Sequence, residues 1–209
     1  MKHEWRKQES SIYLPKAKPE LITIPTYKYV VIDGEGNPNS DAFAACIEVL
    51  YSVSYAIKMT LKKMDSTPKF YEDYTVYPLE GVWDITDEAK KTFTQENLNK
   101  DDLVYRLMIR QPDFIHNDFF EEMVAITKKK KPNILLDSLK FESLTDGACI
   151  QMMHIGSFDN EPQSFKVMEA YAKEQGVERV SKIHREIYLS DFRKVPEEEL
   201  KTVLRFQVK

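Results

Sequence analysis

Cysteine is scarce in this chain: Cys46 and Cys149 are the only two in 209 residues. Both sit in apolar stretches without a CxxC or Cys/His spacing, which fits buried thiols in a reducing compartment better than a disulfide framework. Excess positive charge is also missing. A formal net charge of -4 leaves no basic footprint to neutralise a run of phosphates, so nucleic acid is not expected as a partner. Long apolar runs are absent too. The longest, residues 43–57, is interrupted by Glu48 and falls short of the roughly 20 residues a membrane span requires. The first ten residues are charged and lack the apolar core of a secretory signal, so a soluble cytoplasmic protein without a membrane partner is expected.

The common chemical signatures are missing as well. The four histidines, His3, His116, His154 and His184, show no metal-ligand spacing with acids or cysteines, and there is no HExxH, so no metal and no cofactor is expected. The turn at Gly34-Glu35-Gly36 lacks the third glycine of a dinucleotide site, and neither GxxxxGK nor GxSxG occurs. The run Lys128 to Lys131 reads as a solvated helix end, favourable to the helix dipole.

What is present is an ordinary globular balance, 42% hydrophobic with 31% charged residues, arranged in a repeating order. Residues 22–34 are β-branched and aromatic and stop at glycines and Pro38, which predicts a strand. Phe43, Ile47, Leu50, Ser54, Ile57 and Leu61 recur at helical spacing behind Asn39, Ser40 or Asp41 as cap. Residues 74–77 and 82–86, separated by Pro78 and Gly81, read as a bent strand or a strand with a bulge, and 103–111 as another strand. Strand 148–155, helix 161–175, strand 182–189 and strand 200–208 repeat the order. A shift of 122 residues lays Gly34 on Gly156 and Phe43 on Phe165. The expected fold is α+β: tandem β-α-β-β modules at about 22–111 and 147–209 with pseudo-twofold symmetry. Helices would lie on one face of an antiparallel sheet, after an N-terminal extension 1–21, with a helical insertion 112–146 between the modules. The extension is free to pack on the domain or on a neighbour.

Within residues 183–189 the alternation sets His184, Glu186 and Tyr188 on one face and Ile183, Ile187 and Leu189 with Arg185 on the other. The apolar side is expected to meet the helices, which leaves Glu186 on the uncovered face. Glutamate is depleted in strands, so this carboxylate reads either as part of a solvated face or as a binding acid. Tyr71, Tyr74, Tyr77, Trp83 and Tyr105 lie on segments assigned to the same sheet, and an acid among such rings suits planar or cationic organic molecules. Taken singly each ring also suits a core, and either face of its strand is open to Tyr105.

The segment His184-Arg185-Glu186-Ile187-Tyr188-Leu189-Ser190-Asp191, after this duplicated order, resembles the GyrI-like small-molecule-binding domain family. Asp33-Gly34-Glu35-Gly36-Asn37-Pro38, Gly81-Val82-Trp83-Asp84 and Arg106 through Pro112 are similar to a stand-alone branch without a DNA-binding domain. Phe192 stands where proline is frequent. The resemblance implies that Glu186 meets ligand in the cleft between the modules, with Trp83 as a cleft aromatic. Tyr71, Tyr74, Tyr105 and Tyr188 are the other candidate ligand contacts. Some stand-alone members are cyclopropanoid cyclopropyl hydrolases, which open the strained ring of DNA-alkylating natural products by adding water. Three readings stay open: such a hydrolase with Glu186 as the catalytic carboxylate that orients a water or accepts its proton, a non-catalytic module that sequesters or senses xenobiotics, and a topoisomerase-interacting protein. A small organic ligand is common to the first two, and the protein partner of the third is unknown.

Overall fold

The structure, a computed structural model, describes residues 2–92, 99–191 and 194–209. Phe192 lies outside them. In chain order the elements are α1 (Trp5–Gln8), α2 (Ser10–Tyr13), β1 (Glu20–Glu35), α3 (Asp41–Leu61), β2 (Leu79–Ile85) and α4 (Asp87–Lys90). There follow β3 (Leu103–Gln111), α5 (Asn117–Lys130), β4 (Lys140–Ile155), α6 (Glu161–Glu174), β5 (His184–Tyr188) and β6 (Lys201–Gln207). The hydrogen-bonded strand order is β1-β3-β2-β5-β6-β4, with β4 again next to β1, and the registered pairs are antiparallel. The chain divides into two compact units that are each assembled from separate stretches. One comprises Met1–Glu4, Tyr27–Tyr77 and Trp83–Leu144, the other Trp5–Thr26, Pro78–Val82 and Thr145–Lys209.

In the first unit β1 pairs with β3 from Lys28↔Gln111 to Glu35↔Val104, and α3 packs against β3 and α5. Ser40 caps α3 by accepting a hydrogen bond from the Phe43 amide at 3.2 Å, the expected use of a side-chain oxygen on an orphan helical N–H. By length and composition α3 could cross a membrane. Its inward residues, among them Leu50, Val53, Ile57 and Leu61, are instead buried in this unit's core. The buried Gln111 amide donates to Ser54 at 3.1 Å, which explains the hydroxyl in the helix's apolar stripe.

In the second unit β6 pairs with both β4 and β5. Ile150 and Met152 of β4 join Leu204 and Phe206 of β6 under Met168 and Ala172 of α6. The opposite side of the ladder is polar and buried. Arg205 donates to Gln151 at 2.8 Å, while Arg185 donates to Asp146 at 2.7 Å and to Glu80 at 2.9 Å. Burial alone would raise the Asp146 carboxyl, but Arg185 and Arg205 more than offset it and hold it below the usual range. The N-terminal helices belong to this unit: Trp5 packs on Tyr13 with ring centroids 5.2 Å apart, and Arg205 donates to the Ile12 carbonyl.

Three local expectations change. Tyr74 makes only an isolated bridge with His3, and β2 begins at Leu79, after Pro78, whose missing N–H excludes it from a ladder. Strand β4 starts at Lys140 and runs through Gly147, which takes φ +69. The turn-like Thr145-Asp146-Gly147 therefore lies inside a strand. Gly34 also lies inside a strand, and the left-handed turn falls at Gly36 (φ +98), whereas Gly156 (φ +121) does follow its strand. The two glycines matched by the 122-residue shift have different jobs.

Candidate functional site

Glu186 occupies the centre of β5 and stands opposite Leu204 of β6. Residues opposite one another across a ladder share a face, and Leu204 lies under α6. The expectation that Glu186 faces away from the helices is therefore corrected: it lies on the face that α6 covers. The physical reason is the other face, where Arg185 is neutralised by Glu80 and Asp146, so a charged residue there needs no solvent. Ile183, taken as core-facing, is 43% exposed.

The first turns of α6 bring one side chain to this carboxylate and another to the neighbouring His184. Phe165 meets the His184 ring edge-on, centroids 4.7 Å apart. Glu161, the first residue of α6, lies beside Glu186. Burial first, then the charge of Glu186 and the hydrogen bond shared with it, push the Glu161 carboxyl well above its ordinary value. Its Oε1 is buried without a hydrogen-bond partner among the described residues. His184 sets Nε2 3.2 Å from Glu186 Oε1 and Nδ1 3.2 Å from the Lys182 carbonyl. Glu161, His184 and Glu186 each offer a ligand atom, all within 4.8 Å of one another. The spacing of histidines and acids along the chain did not show this trio. Glu161 was legible only as a first-turn acid before Pro162, a routine helix start.

The aromatic candidates of the first unit form a cluster of their own. Trp83 lies 5.4 Å from Tyr105 and 5.8 Å from Phe43, stacked on the latter, and Phe43 meets Tyr105 edge-on at 4.9 Å. Tyr105 stands opposite Gly34 in the ladder, and its ring lies over the glycine: a Cβ there would come within 2.4–2.7 Å of it. One residue along, Arg106 donates to Asp33 at 2.7 Å. The two motif pieces around Gly34 and Arg106 thus meet in adjacent strands. Burial and the Cys46 thiol push the Tyr105 hydroxyl up to about 12.

Tyr71 and Tyr74 both meet Phe114 edge-on, at 5.5 and 6.1 Å, and the buried Tyr74 hydroxyl has no hydrogen-bond partner among the described residues. Tyr77 lies under the guanidinium of Arg110. Tyr188, at the end of β5, is half-buried and meets Phe158 edge-on at 6.1 Å. A groove of about 500 Å³ between α3 and α5 is lined by Tyr55, Met59, Lys63 and Met64, and by none of the candidates.

A family model described as the GyrI-like small molecule binding domain matches residues 17–209. An uncharacterized conserved protein from Listeria innocua is 32% identical with a TM-score of 0.89, covering 99% of this chain and 100% of its own. A hydrolase from the same organism is 33% identical with a TM-score of 0.88 over the whole of both chains. The C-terminal domain of EcmrR, 12% identical at a TM-score of 0.55 and covering 95% of this chain and 98% of its own, shares the fold. No curated protein matches.

Proposed function

Since the chain belongs to the GyrI-like small-molecule-binding domain family, we propose that it binds small aromatic or cationic xenobiotics through Glu186 and aromatic side chains. We further propose that it hydrolyses cyclopropane-bearing, DNA-alkylating compounds. The observation that carries this reading is the buried carboxylate at the centre of β5, flanked by a histidine and by a second glutamate. Likeness along the full chain to a hydrolase supports the catalytic half of the proposal.

In the proposed reaction Glu186 accepts a proton from water while the water oxygen bonds to a cyclopropane carbon. The ring C–C bond breaks, its electron pair passes into the conjugated carbonyl, and the resulting phenolate oxygen takes up a proton. General-base help of this kind is worth about 10²- to 10⁴-fold in rate, enough for an already strained ring. No covalent intermediate is needed. Trp83, Tyr71, Tyr74, Tyr105 and Tyr188 are the candidate stacking or hydrogen-bonding contacts for the planar ligand.

The test is incubation with a cyclopropane-bearing alkylator, followed by mass spectrometry of the small molecule. A gain of one water that Glu186→Gln abolishes, with ligand affinity retained, supports the reading. Undiminished turnover in that variant removes Glu186 from the chemistry. A binding-only reading is favoured by the adjacent Glu161 and Glu186, which together suit an organic cation. It expects no product, and an affinity that falls in Glu186→Gln for cationic but not for neutral ligands.

A further inference from the structure

We propose that Glu161, His184 and Glu186 form a binding site for one divalent first-row transition-metal ion, with zinc as the reference case and with coordination positions left open to water. The proposal goes beyond the xenobiotic reading and does not rest on it.

Four observations converge on these residues. Their ligand atoms all lie within 4.8 Å of one another, and His184 Nε2 is 3.2 Å from Glu186 Oε1. Two donors bound to zinc at roughly 2.0–2.2 Å and a tetrahedral angle lie about 3.4 Å apart, so this pair already spans one edge of a coordination shell. Glu161 is more than nine-tenths buried, and its Oε1 has no hydrogen-bond partner among the described residues. A carboxylate oxygen kept from water in this way needs either a donor or a cation.

His184 supplies the third observation. Its Nδ1 faces the Lys182 carbonyl, the outer contact that metal-bound histidines use to fix the tautomer and leave Nε2 as ligand. Because Nε2 in turn faces a carboxylate oxygen, the contact is satisfied only by a proton on that axis or by a cation beside it. The fourth is charge and hardness. Two carboxylates and one imidazole balance a divalent ion, and the mixed nitrogen and oxygen set suits zinc, cobalt, manganese or iron better than calcium, which takes six to eight oxygens. The His184 side chain is 22% exposed against 10% for Glu186, so the imidazole edge is the route of entry.

The experiment uses the full chain, freed of metal with a chelator and transferred to chelator-free buffer. Zn²⁺ is titrated by calorimetry and Co²⁺ by visible absorption. The expected result is one ion per chain, with Co²⁺ giving the bands of an ordered low-coordinate site. Affinity should weaken in both Glu161→Gln and His184→Asn by at least the ~10-fold that loss of even an outer-shell partner costs. The Cys46→Ser/Cys149→Ser double variant should bind unchanged. Absence of binding by the wild type, or equal affinity in both ligand variants, overturns the proposal. Thermal melts without metal establish that each variant is folded, and His184→Asn carries the test if Glu161→Gln is not. Xenobiotic binding by the same metal-free samples is scored separately, so either proposal can fail alone.

Discussion

Glu186 and Leu204 face one another across the β5–β6 ladder, and Leu204 is part of the core under α6. That register puts an acid on the helix-covered side of the sheet, where the start of α6 can reach it. The consequences for charge and packing are measurable.

Glu161→Gln should stabilise the protein at neutral pH. Because the folded-state carboxyl is raised, its contribution is present below the unfolded value, near ~4.3, and is lost as pH rises through the higher folded value. Glutamine keeps the shape without the charge. Denaturant titrations with chelator present should show the variant more stable than wild type at pH 7, with the gap closing below about pH 4.

Asp146 gives the opposite slope. Its folded value lies below the ordinary range, so its contribution is present above the unfolded value, ~3.9, and is lost as pH falls through the folded one. Asp146→Asn should flatten the acid limb of a stability-versus-pH curve measured from pH 5 downward. An unchanged limb would mean that Arg185 and Arg205 do not hold the charge.

Arg185→Met should cost about 3–5 kcal/mol, because it takes the guanidinium from between buried Glu80 and mostly buried Asp146. Adding Glu80→Gln should recover part of that loss. Equilibrium unfolding of the two single variants and the double variant measures the coupling. Lys91→Ala, which breaks the exposed pair with Glu88, should change stability by no more than about 1 kcal/mol.

Gly34→Ala should destabilise by about 1–3 kcal/mol, since the new methyl falls on the Tyr105 ring. A smaller residue at position 105 relieves that clash. Gly34→Ala should therefore cost less in a Tyr105→Leu background than alone, as read by urea denaturation.

The elements were largely legible where one periodicity ran unbroken. Strand β3 matches its predicted bounds at Leu103 and Gln111, α6 falls within one residue of its own, and α5 lies inside the expected helical insertion. The apolar stripe from Phe43 to Leu61 announced α3. Misreadings arose where a local signal was overridden by a distant partner. Thr145-Asp146-Gly147 has turn chemistry, yet Asp146 serves two arginines from within a strand. Arg185 looked like a flaw in an apolar face because Glu80, 105 residues away, is what makes it tolerable there. Glu186 was singled out for being a glutamate in mid-strand. Glu161, its neighbour in space, carried only the ordinary mark of a helix start, and no reading of one segment could join the two.

The piecewise composition of the second unit has a practical corollary for dissecting the molecule. A fragment cut to begin at Thr145 would retain Arg185, Asp146 and Arg205 but not Glu80 or the Ile12 carbonyl, both of which come from earlier in the chain. Separately expressed halves would thus each begin life with severed partners. Truncation libraries should recover folded protein only when residues 5–26 and 78–82 are supplied along with the C-terminal stretch.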